Sequence, residues 1–167
     1  MFRFALVLCL ISSPALAGLE VRFLEGAPKD RIVVANVGSC AVENASLEID
    51  FSKSEGRLIF DTTSEGAGVE VFQPVEVVHG AEALSETPAV EDGETTLTLA
   101  ISSLAPEARI ILTMDIDDTI GEREITVTEG EFAGTHLVYY SAHGKSWMYV
   151  LNAENSGVVG AADCATS

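Results

Sequence analysis

Short runs in which apolar and polar residues alternate constrain the fold of this chain more than any other feature. Leu97, Leu99 and Ile101 alternate with two threonines and an alanine, and similar runs lie at 19–24, 47–52 and 110–117. A period of two residues predicts β-strands that bury one face. No stretch after residue 17 with the length of a typical helix, about 11–12 residues, has a clear 3.6-residue period. The pattern therefore predicts an all-β protein.

Turn-forming segments separate these runs. Gly, Pro, Asp and Ser recur at 26–30, 53–56 and 104–108, and longer polar segments at 62–68 and 79–93 are predicted as loops. Further short strands are expected near 58–60, 125–127, 137–140 and 148–151, and a strand interrupted by Pro near 69–77. About eight or nine strands at such spacing favour one antiparallel β-sandwich, immunoglobulin-like or jelly-roll-like. The tail from 157 is weakly patterned, and no strand is predicted there.

The N-terminus has the parts of a secretory signal peptide. Arg3 precedes an apolar run at 4–11, and small residues end in Ala15-Leu16-Ala17. The run is shorter than the roughly 20 residues that span a bilayer, and a buried N-terminal helix is the alternative. We predict cleavage between Ala17 and Gly18, which gives a signal peptide at 1–17 and one domain at 18–167. The expected location is periplasmic or extracellular, without a membrane span.

The charge is strongly acidic. The chain has 26 acidic and 9 basic residues, and removal of Arg3 leaves 8 basic residues and a net charge of −18. Such a surface repels nucleic acid and anionic membranes, and it favours cations and basic partners. Solubility alone, or a salty habitat, is an equally good explanation.

Two cysteines, Cys40 and Cys164, remain after the predicted cleavage. An even pair in an exported protein predicts a disulfide. Two unrelated free thiols are the alternative.

Three carboxylates lie close together at the end of a predicted strand. Asp115, Asp117 and Asp118 fall within four positions, and the alternation places Asp115 and Asp117 on one face. Clustered oxygen ligands at the rim of a sandwich suit calcium, and Glu122 and Glu124 are near enough in sequence to add ligands. A solvated acidic edge is the alternative interpretation.

The same string, Asp115-Ile116-Asp117-Asp118-Thr119, resembles the first motif of haloacid-dehalogenase-type phosphatases. In that family the first Asp is the nucleophile, the second is the acid or base, and magnesium is bound alongside. The family also needs a parallel α/β sheet and further motifs, which this sequence does not predict. No Gly-x-Ser-x-Gly turn is present, and we expect no enzyme activity.

The remaining candidate residues are weaker. His79, His136 and His143 have no metal-ligand spacing. Trp147 and the tyrosines at 139, 140 and 149 form an aromatic group near the C-terminus, which is expected either to pack in the core or to contact a partner.

Several strings are similar to those of one family. Leu19 to Cys40 reads LEVRFLEGAPKDRIVVANVGSC, Leu58 to Pro74 reads LIFDTTSEGAGVEVFQP, and DIDDT and REITV follow at 115–119 and 123–127. Together they resemble small exported alphaproteobacterial proteins labelled "aggregation factor core", over about 19–134. The resemblance implies calcium-linked adhesion outside the cell and assigns no functional residues.

The sequence thus predicts an exported β-sandwich of the binding or adhesion type, linked to calcium, with an unidentified protein or glycan as its partner. An accessory or structural periplasmic domain without its own ligand is the second hypothesis. A magnesium-dependent phosphatase is a remote third.

Overall fold

The computed structural model describes residues 16–65, 68, 72–120 and 127–163. Within these ranges it contains strands and two short 3₁₀ turns, at Ala81–Ala83 and Glu129–Phe132. The strands are β1 (Leu16–Leu24), β2 (Asp30–Asn36), β3 (Val42–Asp50), β4 (Ile59–Phe60), β5 (Glu76–His79), β6 (Thr96–Leu104), β7 (Arg109–Met114), β8 (Ile116–Asp117), β9 (His136–Tyr140), β10 (Ser146–Val150) and β11 (Ser156–Asp163).

The strands form two main antiparallel sheets that pack against each other as a β-sandwich, as predicted. The five-stranded sheet has the order β11-β1-β2-β7-β5, and the four-stranded sheet has the order β10-β9-β3-β6. A small two-stranded sheet, β4-β8, adds to them. The burial of β2 and β6 alternates residue by residue, because each strand turns one face to the core and the other to solvent.

The core lies between the inner faces of the two sheets. Four phenylalanines form an aromatic cluster within it, with the Phe23 and Phe132 rings stacked at 4.5 Å and the Phe51 and Phe60 rings 5.0 Å apart. Leucine, isoleucine and valine from the strands surround them. Phe60 belongs to β4, so the two-stranded sheet is anchored in the core.

The C-terminal tail differs from the sequence prediction, because residues 156–163 form β11. This strand pairs with β1, with Leu19 opposite Val159 and Val21 opposite Gly157. It was missed because small residues dominate it, and close packing requires them: a Cβ on Gly157 would lie 2.5 Å from Tyr149 Cδ1. A sparse apolar pattern carries little strand signal even where the tertiary structure supplies a partner strand.

Other predictions meet the structure only in part. The loop predicted at 79–93 contains a 3₁₀ turn and an isolated bridge between Leu84 and Ile101.

Strand β1 begins at Leu16, two residues before the predicted cleavage site, and residues 1–15 lie outside the described part of the chain. Of the strand predicted near 69–77, residues 72–75 are not in a strand and β5 begins at Glu76, while residues 69–71 and most of the strand predicted at 125–127 are not described. The longest helical segments within the described ranges are the two 3₁₀ turns, so none could cross a membrane.

Candidate cation site

The acidic motif lies where the two-stranded sheet meets the sandwich. Asp115 follows β7, and Asp117 ends β8. Strand β8 pairs with β4, with Phe60 opposite Ile116 and Ile59 opposite Asp117. Because Phe60 and Ile116 are buried in the core, the backbone that carries Asp115 and Asp117 is held rigidly on both sides.

Pairing with β4 brings a third carboxylate to the motif. Asp61 follows β4, and its backbone N–H donates to the Asp115 carbonyl at 3.1 Å. Gln73 links the same two residues: its N–H donates to the Asp61 carbonyl at 3.1 Å, and its carbonyl accepts from the Asp115 N–H at 3.4 Å. Backbone hydrogen bonds therefore hold Asp61 and Asp115 side by side.

The three side chains converge on one point. One carboxylate oxygen from each of Asp61, Asp115 and Asp117 lies within 4.8 Å of the other two. Their exposed fractions are only 1 %, 6 % and 1 %. Within the described ranges, no hydrogen-bond donor contacts Asp61 Oδ2 or Asp115 Oδ2. Buried carboxylate oxygens without donors are costly unless a proton or a cation satisfies them.

The surroundings oppose ionisation of these carboxyls. Burial, together with the charges of Asp117 and Asp92, raises the pKa of Asp61 to about 7. Burial likewise raises the pKa of Asp115 to about 7, assisted by the charges of Asp117, Asp30 and Asp61. Two ionised carboxylates at this separation repel by about 3–4 kcal/mol at an effective dielectric constant of about 20. A divalent cation would remove this repulsion and allow all three groups to ionise.

Two further carboxylates flank the three aspartates, and each accepts hydrogen bonds from two backbone N–H groups. Asp30 accepts the backbone N–H groups of Gly26 and Ile116 at 3.2 and 3.1 Å. Burial nevertheless raises its pKa to about 6. Burial has the same direction of effect on Asp92, but the N–H groups of Thr62 and Thr63 outweigh it and lower the pKa of that carboxyl.

No basic side chain forms an ion pair with this cluster within the described ranges. The two salt bridges found there, Arg22–Glu20 and Lys29–Glu76, both involve other acidic residues. Within the described ranges, therefore, no fixed protein cation pairs with Asp61 or Asp115.

Gly68 closes one side of the cluster. A Cβ built on this residue would overlap the carboxylate of Asp61 and would lie 2.6 Å from Asp117 Oδ2. The backbone therefore approaches the carboxylates more closely than any other residue type would allow. Such an approach would allow a backbone oxygen to lie near a cation held by these carboxylates.

The geometry changes the composition of the predicted calcium site. Asp115 and Asp117 belong to the group of converging oxygens, as the alternation indicated, but Asp118 does not. Asp118 is buried, and its Oδ1 accepts the N–H of Ile120 at 3.0 Å. Asp61 takes its place. Sequence reasoning missed Asp61 because only the β4–β8 pairing brings it near, although the string Ile59-Phe60-Asp61 has the same strand-then-aspartate form. Glu122 and Glu124 lie outside the described residues.

The other candidate residues lie elsewhere. His79, His136 and His143 join no cluster of metal-ligating side chains in the described ranges. Tyr139 and Trp147 pack against each other at 5.7 Å and contact the core.

Asp115 lies between antiparallel strands rather than in the parallel sheet of the phosphatase family. Cys40 contacts the core, whereas Cys164 lies outside the described residues, so their disulfide stays a prediction.

Comparisons with known proteins identify no relative. The chain matches no protein-family model, and neither a curated protein nor a solved structure is significantly similar to it.

Proposed function

We propose that this chain is an exported β-sandwich protein of the binding or adhesion type, with a calcium ion bound by Asp61, Asp115 and Asp117. The convergence of three buried carboxylates carries the proposal, together with the Oδ2 atoms of Asp61 and Asp115 that no described donor contacts. Calcium takes six to eight oxygen ligands, so carboxylates, a backbone carbonyl and waters would complete its shell. The export signal supports this choice, because calcium is plentiful outside the cytoplasm.

Calcium would act as a structural clamp in this protein. Asp61 and Asp117 lie at the ends of β4 and β8, which form the two-stranded sheet, whereas Asp115 follows β7 of the five-stranded sheet. A cation between them would tie the two-stranded sheet to the five-stranded sheet. Binding or adhesion would then depend on calcium through the shape of this end of the sandwich. The adhesion role itself is supported by the family resemblance of the sequence.

The decisive experiment compares calcium-induced stabilisation in matched variants. Extracellular calcium modules bind with dissociation constants of roughly 10⁻⁴–10⁻³ M. Calcium at ten times such a constant adds about 1.4 kcal/mol to stability, which corresponds to a rise of roughly 3–6 °C in Tm. We expect Asp61→Asn and Asp117→Asn to lose this rise and Asp118→Asn to keep it.

Asp118→Asn is a stringent control, because Asp118 is a buried neighbour whose hydrogen bond to Ile120 an asparagine can retain. Magnesium should stabilise the protein less, since it demands a smaller octahedral shell. The absence of any calcium shift at millimolar concentration would refute the proposal. Equal losses in all three variants would refute the assignment of the ligands.

A further inference from the structure

Strand β10 is an apolar edge strand within the described part of the sandwich. It pairs with β9 on one side, and no described strand pairs with its other side. Met148 and Val150 are exposed on its outer face, and Tyr140 is exposed nearby on β9. Apolar edge strands without a charge, a proline or a bulge can accept another strand, and the five-residue strand Ser-Trp-Met-Tyr-Val has none of these protections.

The hydrogen bonds of the β9–β10 hairpin show which backbone groups point outward. Ser141 N–H donates to the Lys145 carbonyl, and Leu151 N–H donates to the Thr135 carbonyl. Hydrogen-bonded pairs alternate with non-bonded pairs in an antiparallel ladder. Residues 145, 147, 149 and 151 therefore bond to β9, whereas the N–H and C=O groups of Ser146, Met148 and Val150 face the open edge.

This arrangement is self-complementary. If a second β10 lies antiparallel with Met148 opposite Met148, Ser146 faces Val150 on both sides of a two-fold axis. Every residue of the strand then has a partner in the second copy. The outward N–H groups of each strand face the outward C=O groups of the other. The register also keeps the apolar side chains of both copies on the same outer face of one continuous sheet.

The charge distribution selects this edge for contact between two copies. The chain has a formal net charge of −17, so most approaches of one copy to another are repulsive. Residues 132–153, which include β9 and β10, contain no Asp or Glu. The other edge strands of the two main sheets are less suitable: β5 carries Glu76, β11 ends with Asp163, and Leu84 bridges to β6.

We propose that β10 pairs antiparallel with β10 of a second copy, centred on Met148, to form a two-fold symmetric dimer with a continuous sheet. The interface is only one strand wide, so we expect weak association. The fraction of dimer should therefore rise with protein concentration. It does not depend on the calcium site.

Sedimentation velocity over a roughly hundredfold range of protein concentration tests the dimer, because mass action controls its population. We expect the sedimentation coefficient of the wild type to rise to the dimer value. Met148→Lys and Met148→Glu should each remain monomeric, since like charges would face each other across the axis. An equimolar mixture of the two variants should recover the dimer. Val78→Lys, at an exposed position on the edge strand β5, should behave as the wild type.

Met148→Pro tests the backbone contribution separately. The Met148 N–H faces the open edge, so proline removes a donor from the proposed interface without removing one from the β9–β10 ladder. The variant should fold, as judged by the near-ultraviolet signal of Trp147, and remain monomeric. A monomeric wild type at all concentrations, or dimers that persist in Met148→Lys and Met148→Pro, would overturn the proposal.

Discussion

Asp61 donates its backbone N–H to the carbonyl of Asp115 at 3.1 Å, although the two residues lie in distant parts of the chain. This bond continues the β4–β8 ladder by one step and directs both side chains, with that of Asp117, to one buried point. Secondary structure therefore concentrates negative charge at a place where no described basic side chain compensates it.

Without calcium, the protein should lose stability as pH rises from about 4 to 7. The pKa values of Asp61 and Asp115 are about 7 in the native protein, against 3.8 for the unfolded chain. The native state therefore binds more protons in this window, and its stabilisation is complete below pH 3.8 and lost as pH rises through 7. Thermal unfolding in EDTA across this range measures the effect.

The double variant Asp61→Asn/Asp115→Asn is the control for this pH dependence, since other carboxyls also titrate. Its stability should fall less steeply with pH than that of the wild type. Saturating calcium should also reverse the trend in the wild type, because the cation binds the ionised form. Identical pH profiles for the wild type and the double variant in EDTA would contradict the prediction.

Gly68→Ala should abolish calcium stabilisation. The added methyl group would overlap the Asp61 carboxylate and approach Asp117 Oδ2, so the ligands or the backbone would have to move. Gly130→Ala is the matched control, because a Cβ at Gly130 has no atom within 4 Å. Calorimetric titration with calcium should show binding to Gly130→Ala and none to Gly68→Ala. Binding of equal strength to both variants would exclude Gly68 from the site.

Asn36→Ala should destabilise the protein by about 2–4 kcal/mol, the range expected when buried hydrogen bonds lose a partner. The Asn36 amide donates to the carbonyls of Cys40 and Leu104 at 2.8 and 2.9 Å, and its Oδ1 accepts the N–H of Gly38. It thus joins the end of β2 to β6 in the other sheet. Chemical denaturation measures the loss. Asn152→Ala, at an exposed turn, should cost less than about 1 kcal/mol.

Cys40 and Cys164 are predicted to form a disulfide. Asn36 at the end of β2 lies opposite Leu19, and Asp163 at the end of β11 lies opposite Leu16. Both strands therefore end beside the first part of β1, which favours proximity of the two cysteines. Loss of a disulfide that closes a loop this long destabilises a protein by up to about 4–5 kcal/mol.

Cys40→Ser, Cys164→Ser and the double variant should show the same reduced Tm, because either substitution breaks the same bond. Reduction of the wild type should lower its Tm to a similar value. Intact-mass measurement after alkylation without reductant should find neither cysteine modified in the wild type. Alkylation of both would refute the disulfide.

The sequence by itself determined the fold class. Strands β3, β6 and β7 are visible as alternating runs because each buries one face, and burial of one face leaves a period of two in the sequence. The same local rule placed Asp115 and Asp117 on one side of their strand. Signals of this kind depend only on neighbours along the chain.

Only the tertiary structure decided which strands pair. Asp61 reaches Asp115 through the β4–β8 ladder, and β4 and β8 have only two residues each, too few to show any period. Strand β11 likewise depends on its contacts with β1 and Tyr149. Pairing between distant segments is decided by packing in the whole core, which local periodicity does not encode. For this reason the sequence predicted an acidic motif with Asp118 as a ligand, whereas the folded chain brings Asp61 to it.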